Sequence, residues 1–158
     1  GFLIADPPVL AQILALKTDA GSGALEQMAL AEYCPKNYEK HVAKIRSEMQ
    51  LKCDCMVDAL EENFGSFADF RVPEGGIFIW ITLPESVDTT KLAEAAIKED
   101  IPLNSGVSWT VEGDKNRNRM RLCFGHPSKE VIREGVEKLA RVCHHEFGIP
   151  LRSGNKER

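Results

Sequence analysis

Apolar residues recur at steps of three and four over some stretches and at steps of two over others, and the change of step marks out the elements. The longest helical stripe is Tyr38, Val42, Ile45, Met49, Cys53, Met56, Leu60 and Phe64, opened by Pro35 and closed by Gly65. At about 1.5 Å per residue such a helix is on the order of 40 Å long. One small sheet cannot cover a stripe of that length, so the helix is expected to span two domains or to pack on a partner. Before it, Asp6 and Pro7 read as a cap and a first-turn proline, with Val9, Leu10, Ile13, Leu14 and Lys17 carrying a helix to Gly21. A second helix is expected from about Gly23 to Tyr33. Further on, Asp88 caps a short helix with Val87 and Leu92 as its hydrophobic staple and Leu92, Ala95 and Ala96 inward. Ser128 caps the last helix, with Ile132, Val136, Leu139, Cys143 and Phe147 inward.

The strands lie between. Residues 1–5 are a short apolar run of the kind buried on both faces. Residues 68–72 and 76–83 flank Pro73-Glu74-Gly75-Gly76, where proline presets a turn and glycine allows positive φ, so a hairpin is expected. The second of these strands sets Ile77, Ile79 and Ile81 on one face and Phe78 and Trp80 on the other, which puts it in the middle of a sheet. A short strand at 101–104, a polar loop from Ser105-Gly106 to Asn116, and a strand at 118–124 complete the set; residues after Pro150 are polar and expected to fray. Helices alternating with strands that include a hairpin give an α/β chain with an α+β domain: a small, mostly antiparallel sheet with helices packed on one face, preceded by the long helix.

Composition narrows the class. The 158 residues are 43% hydrophobic and 28% charged, an ordinary globular make-up, and the formal net charge of -4 without a basic stripe argues against nucleic acid. No apolar run approaches the roughly 20 residues of a bilayer span, and no signal peptide is legible at the start, so a cytoplasmic protein is expected. The five cysteines, at 34, 53, 55, 123 and 143, show no paired CxxC spacing, which disfavours a disulfide framework or structural zinc. Cys53 and Cys55 lie about 200° apart on a helix, and Cys143, His144 and His145 diverge in the same way, so no metal ligand set is expected.

One residue stands apart. In the strand at 118–124, Met120, Leu122 and Phe124 share the apolar face, which leaves Arg121 on the other. A guanidinium fixed on a strand is a fork for a carboxylate; it is equally the side chain of a solvated strand. The residues by themselves leave both readings open.

The order of motifs adds a resemblance. Gly1-Phe2-Leu3-Ile4-Ala5-Asp6-Pro7, then Pro73-Glu74-Gly75-Gly76-Ile77-Phe78-Ile79-Trp80, then Asn104-Ser105-Gly106 and Arg119-Met120-Arg121-Leu122-Cys123-Phe124, resembles the carboxy-terminal part of fold type I, class I/II aminotransferases dependent on pyridoxal phosphate. The aminoadipate, aromatic and valine aminotransferase-like enzymes are the subgroup, and the domain also occurs in MocR-type regulators. The resemblance runs over residues 1–147. It implies that Arg121 binds the substrate carboxylate, with Gly75 and Gly76 near the mouth of the site. It divides the chain into residues 1–33 from a large cofactor-binding domain, an interdomain helix at 34–65, the small domain at 66–150 and a polar tail at 151–158. It also implies an amino-acid and 2-oxo-acid substrate pair, a homodimeric parent and the missing large domain as partner.

Departures from the pattern limit what the chain is expected to do. The Schiff-base lysine and the arginine that holds the cofactor phosphate fall upstream in the family; Lys17 lacks their flanking motif and reads as a solvated lysine. Ser105 stands where proline commonly precedes Gly106. Transamination needs the pyridoxal ring, the lysine and an acidic partner for the ring nitrogen. The chain is therefore expected to carry no catalytic, cofactor-binding or metal-ligating residue, to be inactive alone and not to bind pyridoxal phosphate covalently. Apolar surface is expected to lie exposed over the first thirty residues and the long helix. A ligand-sensing domain of a MocR-type regulator and a non-catalytic dimerisation or binding module remain as alternatives.

Overall fold

The computed structural model describes residues 2–111 and 113–152, residues 113 and 114 by their backbone. Gly1 of the expected opening strand, Glu112 of the polar loop and residues 153–158 of the expected tail lie outside the described residues. The chain forms two compact units, residues 1–42 and 43–158.

The first unit contains helix α1, Pro7–Leu14, and the start of helix α2, Ala24–Asn63. None of residues 2–42 is buried. Phe2 is 91% exposed and Ile4 87%, and Leu16, Leu25 and Met28 are exposed as well, so the expectation of uncovered apolar surface here is met. The expected strand at the start of the chain is not formed: residues 2–5 have no regular structure, because a strand needs a neighbour to take up its backbone hydrogen bonds. Helix α1 stops at Leu14 rather than at Gly21, and Asp6 sits at its N-cap without a side-chain hydrogen bond. Lys17 pairs with the carboxylate of Asp19 in the turn that follows.

The two helices expected either side of Cys34 are a single helix, α2, with Pro35 inside it. Proline removes one N–H from the helical ladder. The carbonyl it strands belongs to Ala31, which is exposed and so open to water, and the Asn37 amide donates to the neighbouring Tyr33 carbonyl at 3.0 Å. In the second unit the same helix buries Cys53, Cys55, Met56, Ala59 and Leu60, and Gly65 then turns the chain with φ +54°.

The sheet of the second unit comprises β1 (Asp69–Phe70), β2 (Phe78–Thr82), β3 (Asn104–Ser105) and β4 (Arg119–Cys123), in the order β1-β2-β4-β3 with each neighbouring pair antiparallel. The hairpin is present, but its first strand pairs only at Asp69 and Phe70. The strand expected at 101–104 is displaced to Asn104–Ser105: Pro102 has no N–H to give a ladder, and Ile101 and Leu103 pack on the core instead.

Two further helices, α3 (Thr89–Ala96) and α4 (Lys129–Phe147), complete the unit. The Asp88 carboxylate accepts from the Thr90 and Lys91 amides, and the Ser128 hydroxyl accepts from the Val131 amide, as the capping pattern predicts. Leu60, Ile79, Ile81, Leu92, Met120, Ile132 and Leu139 are buried in one apolar cluster between sheet and helices. As expected, β2 lies inside the sheet, between β1 and β4, and helices pack on one face only; on the other face Phe78 is 37% exposed and Trp80 half-buried. Within the second unit, α3, α4 and the end of α2 pack on the Ile79 and Ile81 side. The expected fraying past Pro150 is also corrected in part, since the Arg152 guanidinium donates to the Glu61 carbonyl at 2.8 Å.

Candidate functional site

The open sheet face is where Arg121 stands. Its strand is held in register on both sides: Trp80 and Asn104 are the residues directly across from it on β2 and β3. Beyond the strand ends, the Leu83 amide donates to the Asn118 carbonyl at 2.8 Å and the Phe124 amide to the Ile77 carbonyl at 3.0 Å. Met120 below is fully buried. The backbone at Arg121 cannot shift far, because moving it means breaking two ladders and lifting core residues.

Around the guanidinium are two rings. Arg121 Cζ lies 3.9 Å from the centre of the Phe78 ring and 3.6 Å from the centre of the Trp109 ring. A ring met by the guanidinium edge would hold Cζ a further C–N bond length away, so both are contacts of the flat faces, one ring to each. Phe78 is diagonal to Arg121 across the β2–β4 ladder, a spacing that aromatic side chains reach. Trp109 comes from the 3₁₀ turn Gly106–Trp109, which follows β3 directly. Nε of Arg121 is buried and has no hydrogen-bond partner. Among the described residues no carboxylate forms an ion pair with Arg121.

The turn that carries Trp109 is fixed by its own packing. A Cβ on Gly106 would lie 2.7 Å from the Arg119 carbonyl oxygen and 2.9 Å from that of Asn116, so glycine is needed for the close approach. Ser105 caps the turn by accepting from the Val107 amide at 3.4 Å, and its hydroxyl lies 3.0 Å from that of Thr89. Thr89 is fully buried, with its hydroxyl 2.7 Å from each of the Arg117 and Arg119 carbonyl oxygens. The Asn116 amide donates to the Thr110 hydroxyl at 3.0 Å, tying the far side of the loop.

Of the residues expected at the site, Arg121 is thus on the open face. Gly75 and Gly76 are exposed in the loop before β2, Gly76 with φ +80° as the turn chemistry predicts, and their link to Arg121 runs through Phe78, two residues past Gly76. Trp109 was not singled out by sequence reasoning. The available signal was an aromatic residue inside an otherwise polar loop. Elsewhere, the thiols of Cys53, Cys55 and Cys143 are buried, and burial pushes Cys143 up to about 12. Cys123 is exposed on the same sheet face as Arg121.

An arginine stacked on two rings, with one donor buried without an acceptor and no acidic partner among the described residues, offers its remaining donors to an anion. Comparison with known proteins gives the context. The chain is 32% identical over 150 residues to aromatic-amino-acid aminotransferase 1 of Thermococcus litoralis, covering 93% of this chain and 36% of that protein. It is 28% identical over 142 residues to the HTH-type transcriptional regulator YdfD of Bacillus subtilis, covering 88% and 29%. Among solved structures it is similar to the kynurenine aminotransferase of Pyrococcus horikoshii, determined in complex with PMP, at a TM-score of 0.73 and 33% identity, with 90% of this chain and 36% of that chain covered. The chain therefore spans about a third of the length of these relatives. The model of the aminotransferase class I and II family matches residues 1–139, and the chain belongs to that family.

Proposed function

We propose that this chain is the carboxy-terminal portion of a pyridoxal phosphate-dependent aminotransferase, and that Arg121 holds the carboxylate of the L-amino acid and 2-oxo acid between which the amino group passes. The observation that carries the reading is the guanidinium itself, stacked on Phe78 and Trp109 and without an acidic partner among the described residues. A carboxylate approaches in the plane of the fork, where two parallel hydrogen bonds form, and the rings leave that plane clear. Each charge-assisted bond contributes about 1.5–3 kcal/mol. In this reading residues 1–33 belong to the large domain, 34–65 to the interdomain helix, 66–150 to the small domain and 151–158 to a tail. The parent acts as a homodimer, and Gly75 and Gly76 lie near the mouth of its site.

The residues of the chain fit the substrate end of that reaction and not the cofactor. Schiff-base formation needs a neutral amine, whereas Glu134 raises the pKa of Lys138 and favours its ammonium form. No step is assigned to the cofactor within this chain, and the chain alone is expected to be inactive. The test is transamination by the full-length protein. Arg121→Ala should raise the KM for the amino acid at least about tenfold, the loss of one to two charge-assisted bonds. An unchanged KM returns Arg121 to a solvated strand residue.

The similarity to YdfD supports a second reading, in which the same carboxylate pocket senses an amino-acid-like ligand in a regulator. Specific DNA binding by the full-length protein that responds to an amino acid, with no turnover, distinguishes it.

A further inference from the structure

Holding Arg121 on a strand fixes where its side chain begins; it does not fix the plane of the guanidinium, which turns about several single bonds. That plane decides whether a carboxylate finds two donors or one. In most ion-pair networks an acidic neighbour sets it, at the cost of occupying the donors. Here none does so among the described residues, and the rings do the orienting instead. Stacking uses the flat faces and hydrogen bonding uses the edge, so the two interactions do not compete.

We infer that Trp109, with Phe78 opposite, is the positioning residue that sets the plane of Arg121 and leaves its terminal Nη edge as the one a carboxylate takes. This rests on the carboxylate-binding reading and deepens it. Three observations converge. The Trp109 contact, at 3.6 Å, is the closer of the two. Nε is enclosed, which withholds the side-on edge, while the two terminal nitrogens are not among the buried unpaired atoms. And the turn bearing Trp109 is anchored to the strand of Arg121 itself, through the close approach of Gly106 to Arg119 and the Thr89 hydroxyl on the Arg119 carbonyl, so ring and guanidinium move together. Trp109 is itself 52% exposed, too much to be explained as core packing.

Two measurements test this. In the 158-residue chain, the Arg121 Nε–H proton signal should lie upfield of free arginine because of the two ring currents. It should move toward the free position in Trp109→Ala and stay shifted in Trp109→Phe; a wild-type signal at the free-arginine position refutes the clamp. In the full-length protein, Trp109→Ala should raise the KM for the amino acid about tenfold while kcat holds, with Trp109→Phe recovering to within about twofold, as loss of one partly desolvated cation–π contact requires. A fall in kcat at unchanged KM overturns the positioning role. Arg121→Lys separates the two claims: if it raises KM and Trp109→Ala does not, the clamp fails and the carboxylate reading stands. If Arg121→Lys leaves KM unchanged, the carboxylate reading itself has failed.

Discussion

Replacing Gly106 by alanine tests whether the turn bearing Trp109 is held as rigidly as its contacts imply. The added methyl would lie 2.7 Å from the Arg119 carbonyl oxygen, 2.9 Å from the Arg119 Cβ and 2.9 Å from the Asn116 carbonyl oxygen. Two of these three atoms are backbone, and Arg119 belongs to β4, which is paired on both sides. The strain is therefore relieved only by moving the turn. Gly106 is buried, so overpacking there costs about 1–3 kcal/mol. Displacing the turn also stretches the Ser105–Thr89 contact, adding roughly 1 kcal/mol for a buried hydroxyl hydrogen bond. For a chain of this size each kcal/mol lowers the melting temperature by about 2–4 °C, so a fall of roughly 4–16 °C is expected. Thermal unfolding followed by far-UV circular dichroism measures it, and the transition reports the second unit because the first has no buried residue. Tryptophan emission should shift to the red in the folded variant as the indole leaves the guanidinium. A variant that melts with the wild type and keeps its emission would show that the turn yields cheaply, and the argument for a rigid platform would fall.

Other outcomes follow from the same structure. Met120→Ala, at a fully buried position in the central strand, should lower stability by about 2–5 kcal/mol in urea unfolding. Native thiol titration at pH 8 should label the exposed Cys123 rapidly and Cys143 only after unfolding, because burial holds the latter protonated up to about 12. The stability due to that thiol is present below its ordinary value of 9.0 and is lost as pH rises from there toward 12, since the unfolded chain ionises first. A chain starting at Ala43 should keep the cooperative unfolding of the second unit, measured by circular dichroism, because that unit carries the buried core and none of residues 2–42 is buried.

Periodicity revealed most of the second unit. Alternation placed β4, its buried face and the outward Arg121, and the cap residues Asp88 and Ser128 marked two helix starts correctly. Local patterns fail where a long-range partner decides. Residues 2–5 have strand composition and no strand to pair with. Pro35 reads as a helix boundary, yet an exposed carbonyl loses little by facing water, so the helix runs through. At the site, the charge of Arg121 was legible from its strand, but the stacking was not. Phe78 and Trp109 lie 43 and 12 residues from it in sequence, and only the β2–β4 register and the turn after β3 bring them together.

The hydroxyl of Thr89 has a single proton and two carbonyl oxygens at 2.7 Å, so it satisfies one of them at a time; while it does so its oxygen can only accept from the Ser105 hydroxyl 3.0 Å away. Donation then runs in one direction, from the Val107 amide to Ser105, from Ser105 to Thr89, and from Thr89 to the backbone of β4. Every member of that chain is a hydroxyl or an amide. None of these groups titrates in the range where proteins work, so this relay to the backbone of β4 is itself indifferent to acidity.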